Sequence, residues 1–144
     1  MRVALISTEG PWLEASISTP FGVFSVMDEF TIDDRNAPGV GDEFDVELSA
    51  SLLDEDESWE TIFSGNPDRR KTLDHLDGWS YRAYGQVVSI DPILVDCGMI
   101  QVPDVFHSND PRVIGEFVAF TISRLDATQY THQEAEQDAA SNGG

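Results

Sequence analysis

Three histidines, one cysteine and a run of four carboxylates are the residues of this chain whose types invite chemistry. His107 stands with Asp104, Ser108 and Asp110 between Pro103 and Pro111, in the composition of a loop, where catalytic side chains concentrate. A small enzyme using His107 is therefore one expectation. His75 lies between Asp74 and Asp77, in a stretch expected to be helical. Helix positions one and two apart do not face one ligand, so this is no metal box but a surface histidine. His132 falls in a polar tail and is expected to be inert. Cys97 sits between Asp96 and Gly98 in a strand pattern, and the negative field around it opposes thiolate formation, which makes it a buried structural thiol. The run Asp54-Glu55-Asp56-Glu57 lacks the alternate spacing and the glycine of a calcium loop, leaving loose cation attraction and no dedicated metal site. No nucleophile elbow, phosphate loop or zinc-protease motif occurs. The expectation is a protein with no catalytic residue and no cofactor.

Charge says more. The 144 residues carry 27 acidic and 8 basic side chains, a formal charge of −19. Residues 28–60 hold 13 of those acids against Arg35 alone, so the molecule is polarised. Such a field repels phosphate backbones and attracts basic protein faces. Direct nucleic-acid binding is not expected, because the lysines and arginines that neutralise phosphates are missing. A solvated face, or adaptation to high salt, is the competing explanation. One cysteine leaves no intrachain disulfide, and no apolar run approaches the length of a membrane span. The start MRVALISTEG lacks the basic flank and long apolar core of a secretory signal, so a soluble cytoplasmic protein with no membrane partner is expected.

The elements that must position these groups are mostly strands. Hydrophobic residues at 40% and aromatics at 10% suffice for one core. RVALIS at 2–7 reads as a strand, and Leu13, Ala15 and Ile17 alternate with Glu14, Ser16 and Ser18 in the next. Residues 21–30 supply a third. In GDEFDVELS, Phe44, Val46 and Leu48 point inward while Asp45 and Glu47 face water. Trp59, Ile62 and Phe63 at i, i+3 and i+4 predict a short helix. A second is expected after an Asn66 cap and Pro67, with Leu73 and Leu76 three apart and a stop at Asp77-Gly78. Strands follow over 81–91, 93–102 and 113–125, and the tail from Thr128 is expected to be mobile. The only basic triplet, Arg69-Arg70-Lys71, is expected to screen the acids at 54–60.

Val40-Gly41-Asp42 through Ser49 lays over Ile114-Gly115-Glu116 through Ser123, matching Gly, an acid, alternate apolar residues and Ser. The glycine permits a tight or positive-φ turn, and the acid can accept backbone N–H bonds there. This resembles the Gly-Asp turn of small β-barrels, including those with a GD box, and implies a closed or partly open barrel, OB-like or built from duplicated three-strand units. OB-like folds often bind single strands through aromatics in basic grooves. Trp79, Tyr81 and Tyr84 lie beside Arg82 alone, so that site is incomplete.

The expected architecture is a single β-barrel domain over 1–127 with a helical insert at 54–78 and a tail at 128–144. The expected role is that of an acidic, non-enzymatic binding protein that docks on a basic protein surface as an inhibitor, immunity-like or nucleic-acid-mimicking protein. Its candidate contact residues are Asp33, Asp34, Asp42, Glu43, Asp45, Glu47, Asp54, Glu55, Asp56, Glu57, Trp59 and Glu60. The alternatives are a structural or adaptor domain of a larger bacterial or phage assembly and the His107 enzyme, while oligomeric state stays open.

Overall fold

Alternation of apolar and polar residues resolves into nine strands and one helix in a computed structural model that describes residues 1–33, 35–52 and 57–129. The strands are β1 (Arg2–Thr8), β2 (Glu14–Thr19), β3 (Gly22–Glu29), β4 (Glu43–Leu52), β5 (Thr72–Asp77), β6 (Ser80–Ile90), β7 (Ile93–Asp96), β8 (Gln101–Pro103) and β9 (Phe117–Gln129). The helix α1 spans Trp59–Ser64, and a 3₁₀ turn covers Pro111–Val113. The fold is mainly β. Its sheet runs β3-β2-β1-β4-β9-β6-β7-β8, with β5 added to β6. β3 also pairs in parallel with β9, matching Met27 with Asp126 and Glu29 with Thr128, so β3, β2, β1, β4 and β9 form a ring of hydrogen-bonded strands. The buried core holds Leu5, Ile17, Val26, Phe44, Val46, Val118, Phe120 and Ile122, each from the apolar phase of its strand.

The two Gly-acid turns are built alike. Gly41 has φ +90° and Gly115 φ +96°, the left-handed region that glycine enters without a Cβ clash. Gly41 N donates to Leu5 O (2.8 Å) and Leu5 N donates to Asp42 O (3.0 Å). At the second turn Gly115 N donates to Val87 O (2.8 Å) and Val87 N donates to Glu116 O (2.9 Å). The likeness extends into the strands. Leu5 faces Ile17 and Ser7 faces Ser16 across a bulge; Val87 faces Val95 and Ser89 faces Leu94 across another. Ile17 then faces Phe24, as Val95 faces Val102. Strand order is accordingly the same outward from the β4–β9 pair in both directions. The halves differ past that point. β3 runs on to Glu29 and reaches β9, whereas β8 stops at Pro103 and the chain turns at Asp104, whose φ is +59°.

Three expectations about the elements are corrected. The second helix does not form: Thr72–Asp77 is β5, paired antiparallel with Ser80–Tyr84. Asn66 caps nothing there. It is buried, its side-chain amide donates to Arg70 O (2.9 Å) and Val118 O (3.2 Å), and its oxygen accepts from Arg70 N (2.8 Å). The helical insert expected at 54–78 thus reduces, among the described residues, to α1. The strand expected over 93–102 is a hairpin of β7 and β8, since Cys97 N returns to Ile100 O at 2.9 Å. Thr128 and Gln129 of the expected tail belong to β9, and the rest of that tail, with His132, lies outside the described residues. No helix among the described residues is long and apolar enough to cross a membrane.

Candidate functional site

β4 sets out the acidic surface. Because successive strand side chains alternate, burial of Phe44 and Val46 turns Glu43, Asp45 and Glu47 to the opposite face, about 7 Å apart. Asp45 lies 3.4 Å from Arg2 on β1. Glu43 and Glu47 are exposed and make no ion pair among the described residues. Glu47 is opposite Thr128, whose hydroxyl donates to Glu29 on β3 at 3.1 Å, so the acidic stripe widens across β9. Asp42 begins the stripe, its carboxylate accepting Gly39 N at 2.8 Å. Asp33 closes a turn with Arg35 N (3.1 Å), and that bond, aided by the Arg35 charge and Asn36, holds its carboxyl below the usual range.

The expected patch divides there. Past Glu47 the same face of β4 carries Ser49 and Ser51, with Ser49 opposite Asp126 and Ser51 opposite Arg124. Ten residues of strand, roughly 30 Å, separate Glu43 from the far end of β4, beyond which lie Glu57, Trp59 and Glu60. Glu60 is exposed on the first turn of α1. Glu57 turns inward: one oxygen accepts Arg82 Nη1 at 2.6 Å and the other Thr121 N at 2.8 Å. Asp34, Asp54, Glu55 and Asp56 lie outside the described residues. Asp28, also in the acid-rich stretch, is fully buried, accepting from Phe30 N, Thr31 N and the hydroxyls of Thr31 and Thr8.

The basic triplet does not pair with this run among the described residues. Arg70 bonds Asp74, Lys71 bonds Asp96 and Arg69 lies over the Phe117 ring, while Arg82 takes Glu57. Seven of the eight lysines and arginines are in ion pairs within the described residues. The aromatic trio forms no stacking platform: Tyr81 is buried, its hydroxyl bridging Ser25 N and Ser25 O at 2.8 Å each, and Arg70 covers Tyr84. His75 is exposed on β5, a ring nitrogen 2.7 Å from Gly78 O. Cys97 is fully buried, and burial, with the Asp96 charge behind it, pushes its thiol up to about 12. No group of three or more His, Cys, Asp or Glu among the described residues could hold a metal ion.

What the sequence did not join is a cleft of about 340 Å³ between α1 and the turn after β8, where Trp59 and Glu57 meet Asp104, Phe106 and His107 over a floor of Ile62 and Phe120. Ser58 caps α1, its hydroxyl accepting Thr61 N at 3.1 Å, and Ile62 is driven into the core. Phe63 and Trp59, on adjacent turns, stack with centroids 5.2 Å apart, and Phe106 meets both edge-on. Trp59 remains 51% exposed. The helical spacing of Trp59, Ile62 and Phe63 announced one wall, but only tertiary contact supplies Phe106. Of the three loop residues named with His107, Asp104 shares the cleft, whereas Asp110 is bound by Arg112, and no hydrogen bond joins His107 to Asp104, Ser108 or Asp110 among the described residues. In comparisons with known proteins, no family, curated protein or solved structure matches this chain.

Proposed function

We propose that this is an acidic, non-enzymatic binding protein that docks on a basic protein surface, in the manner of an inhibitor, an immunity-like protein or a nucleic-acid mimic. The observation that carries the reading is the distribution of pairing: among the described residues seven of the eight lysines and arginines pair with acids of the same chain, while Glu43 and Glu47 stand exposed without an ion pair on the outward face of β4. A stripe of this kind, in which Arg2 offsets Asp45 and leaves Glu43 and Glu47, raises encounter rates with cationic partners and disfavours polyanions. Among the described residues the same distribution leaves no groove of free cations for a nucleic-acid backbone. In this reading the ring of strands is an OB-like barrel, and the two matching halves are copies of one unit, four strands to each rather than three.

The test is calorimetric titration with poly-lysine at low and high salt. Glu43→Gln/Glu47→Gln is compared with Glu60→Gln/Asp68→Asn, which removes equal charge elsewhere. Binding should weaken with salt, and the β4 variant should lose roughly fivefold more affinity than its control. Equal losses would reject the β4 face; indifference to salt would favour the adaptor reading. The place of His107 in the cleft is the one observation on the side of an enzyme, and an activity lost in a folded His107→Ala variant would establish that reading instead.

A further inference from the structure

We infer that the cleft beside α1 is an anchor pocket for one arginine side chain of a basic protein partner, an inference that rests on the docking reading above. The cleft exists because the two halves end differently. Two residues past Phe24 the chain is still β3, continuing to its parallel pairing with β9; two residues past Val102 it is Asp104, in a left-handed turn that carries Val105, Phe106 and His107 away. The space left is about 340 Å³, at the small end of ligand clefts and suited to a single long side chain.

Its walls select the chemistry. Phe63 stacks on the Trp59 indole and Phe106 packs against it at 61°, yet half of the residue stays exposed. A planar guanidinium stacks on such a face more readily than an ammonium does, and keeps its in-plane N–H donors free for a carboxylate. Asp104 supplies that carboxylate: it lines the cleft and accepts no hydrogen bond among the described residues. Glu57 differs, because both of its oxygens are already engaged; its part is to hold the start of α1 against β6 and β9. Among the described residues no lysine or arginine lines the cleft, so an incoming cation meets none of its own sign there.

The test compares octa-arginine with octa-lysine peptides, equal in charge and length, by calorimetry on the full chain. Wild type should bind the arginine peptide about fivefold more tightly. Trp59→Leu and Asp104→Asn should each abolish that preference while both peptides still bind; asparagine tolerates the left-handed backbone, so folding is kept, checked by circular dichroism. Glu43→Gln/Glu47→Gln should weaken both peptides alike and leave the preference intact. Equal affinities in wild type, or a preference that survives both cleft substitutions, would overturn the anchor pocket while leaving the docking reading standing. Failure of both peptides to bind wild type, or binding of octa-lysine alone, would overturn the anchor pocket, and failure of both would overturn the docking reading with it.

Discussion

Replacing Glu57 with alanine probes the joint that sets α1 against the sheet. In the intact protein its carboxylate accepts Arg82 Nη1 at 2.6 Å and Thr121 N at 2.8 Å, and Arg82 also reaches Thr121 Oγ1 at 2.9 Å. The two charged side chains are 19% and 21% exposed, so water screens the pair only in part. A hydrogen bond to a charged group contributes about 1.5–3 kcal/mol, and an unpartnered charge in a part-buried place adds a desolvation cost. Set against the remaining exposure, Glu57→Ala should cost about 2 kcal/mol and lower Tm by about 6 °C for a domain of this size. Thermal unfolding followed by circular dichroism, confirmed by denaturant titration, reads this directly. A cycle with Arg82→Ala and the double variant should show a coupling of about 1–2 kcal/mol. Glu60→Ala, exposed on the same helix, is the control and should match wild type. If Glu57→Ala unfolds with Glu60→Ala, or the cycle shows no coupling, the pair does not hold the helix and the cleft wall has another origin.

Gly85→Ala should destabilise by roughly 1–3 kcal/mol in urea unfolding, because an added Cβ would meet Asp96 O at 2.5 Å, Val95 Cγ1 at 2.7 Å and Cys97 Sγ at 2.9 Å. Gly41→Ala and Gly115→Ala face no such crowding but hold positive φ; each should cost about 1 kcal/mol or more and to a similar extent, and a neutral effect at either site would undo the equivalence of the turns. Burial raises the Tyr81 phenol to about 12, and the Cys97 thiol to about 12. Their neutral forms therefore stabilise the fold fully below the unfolded values of 10 and 9, and that contribution is lost as pH climbs from there toward 12. Tm measured against pH should fall steeply above pH 9, less so in Tyr81→Phe, and Ellman's reagent should label Cys97 only after unfolding.

Strand phase was legible in the sequence because it is local. The alternation around Phe44 and Val46 orients Glu43 and Glu47 whatever else the chain does, and only a glycine fits Gly41 and Gly115 without strain. The apolar spacing of Trp59, Ile62 and Phe63 made a helix for the same reason, though only Ile62 is fully buried. Residues 66–77 show the limit. Leu73 and Leu76 at a spacing of three suit a helix, but the free edge of β6 offers a ladder of backbone partners, and Thr72–Asp77 takes it, burying Leu73 and exposing Leu76. Asn66, a good cap in isolation, is drawn off to Arg70 and Val118.

Charge shows the same division. Composition alone determined that the surface is acidic and that cations are scarce. Which carboxylates stay exposed was decided by partners distant in sequence: Arg82 turns Glu57 inward, and Thr8 and Thr31 enclose Asp28. The cleft belongs wholly to the tertiary level. It needs Trp59 beside Phe106 and a left-handed break at Asp104 where the matching half runs straight on, and neither the distance between two segments nor the failure of one strand to reach its neighbour is encoded in local periodicity.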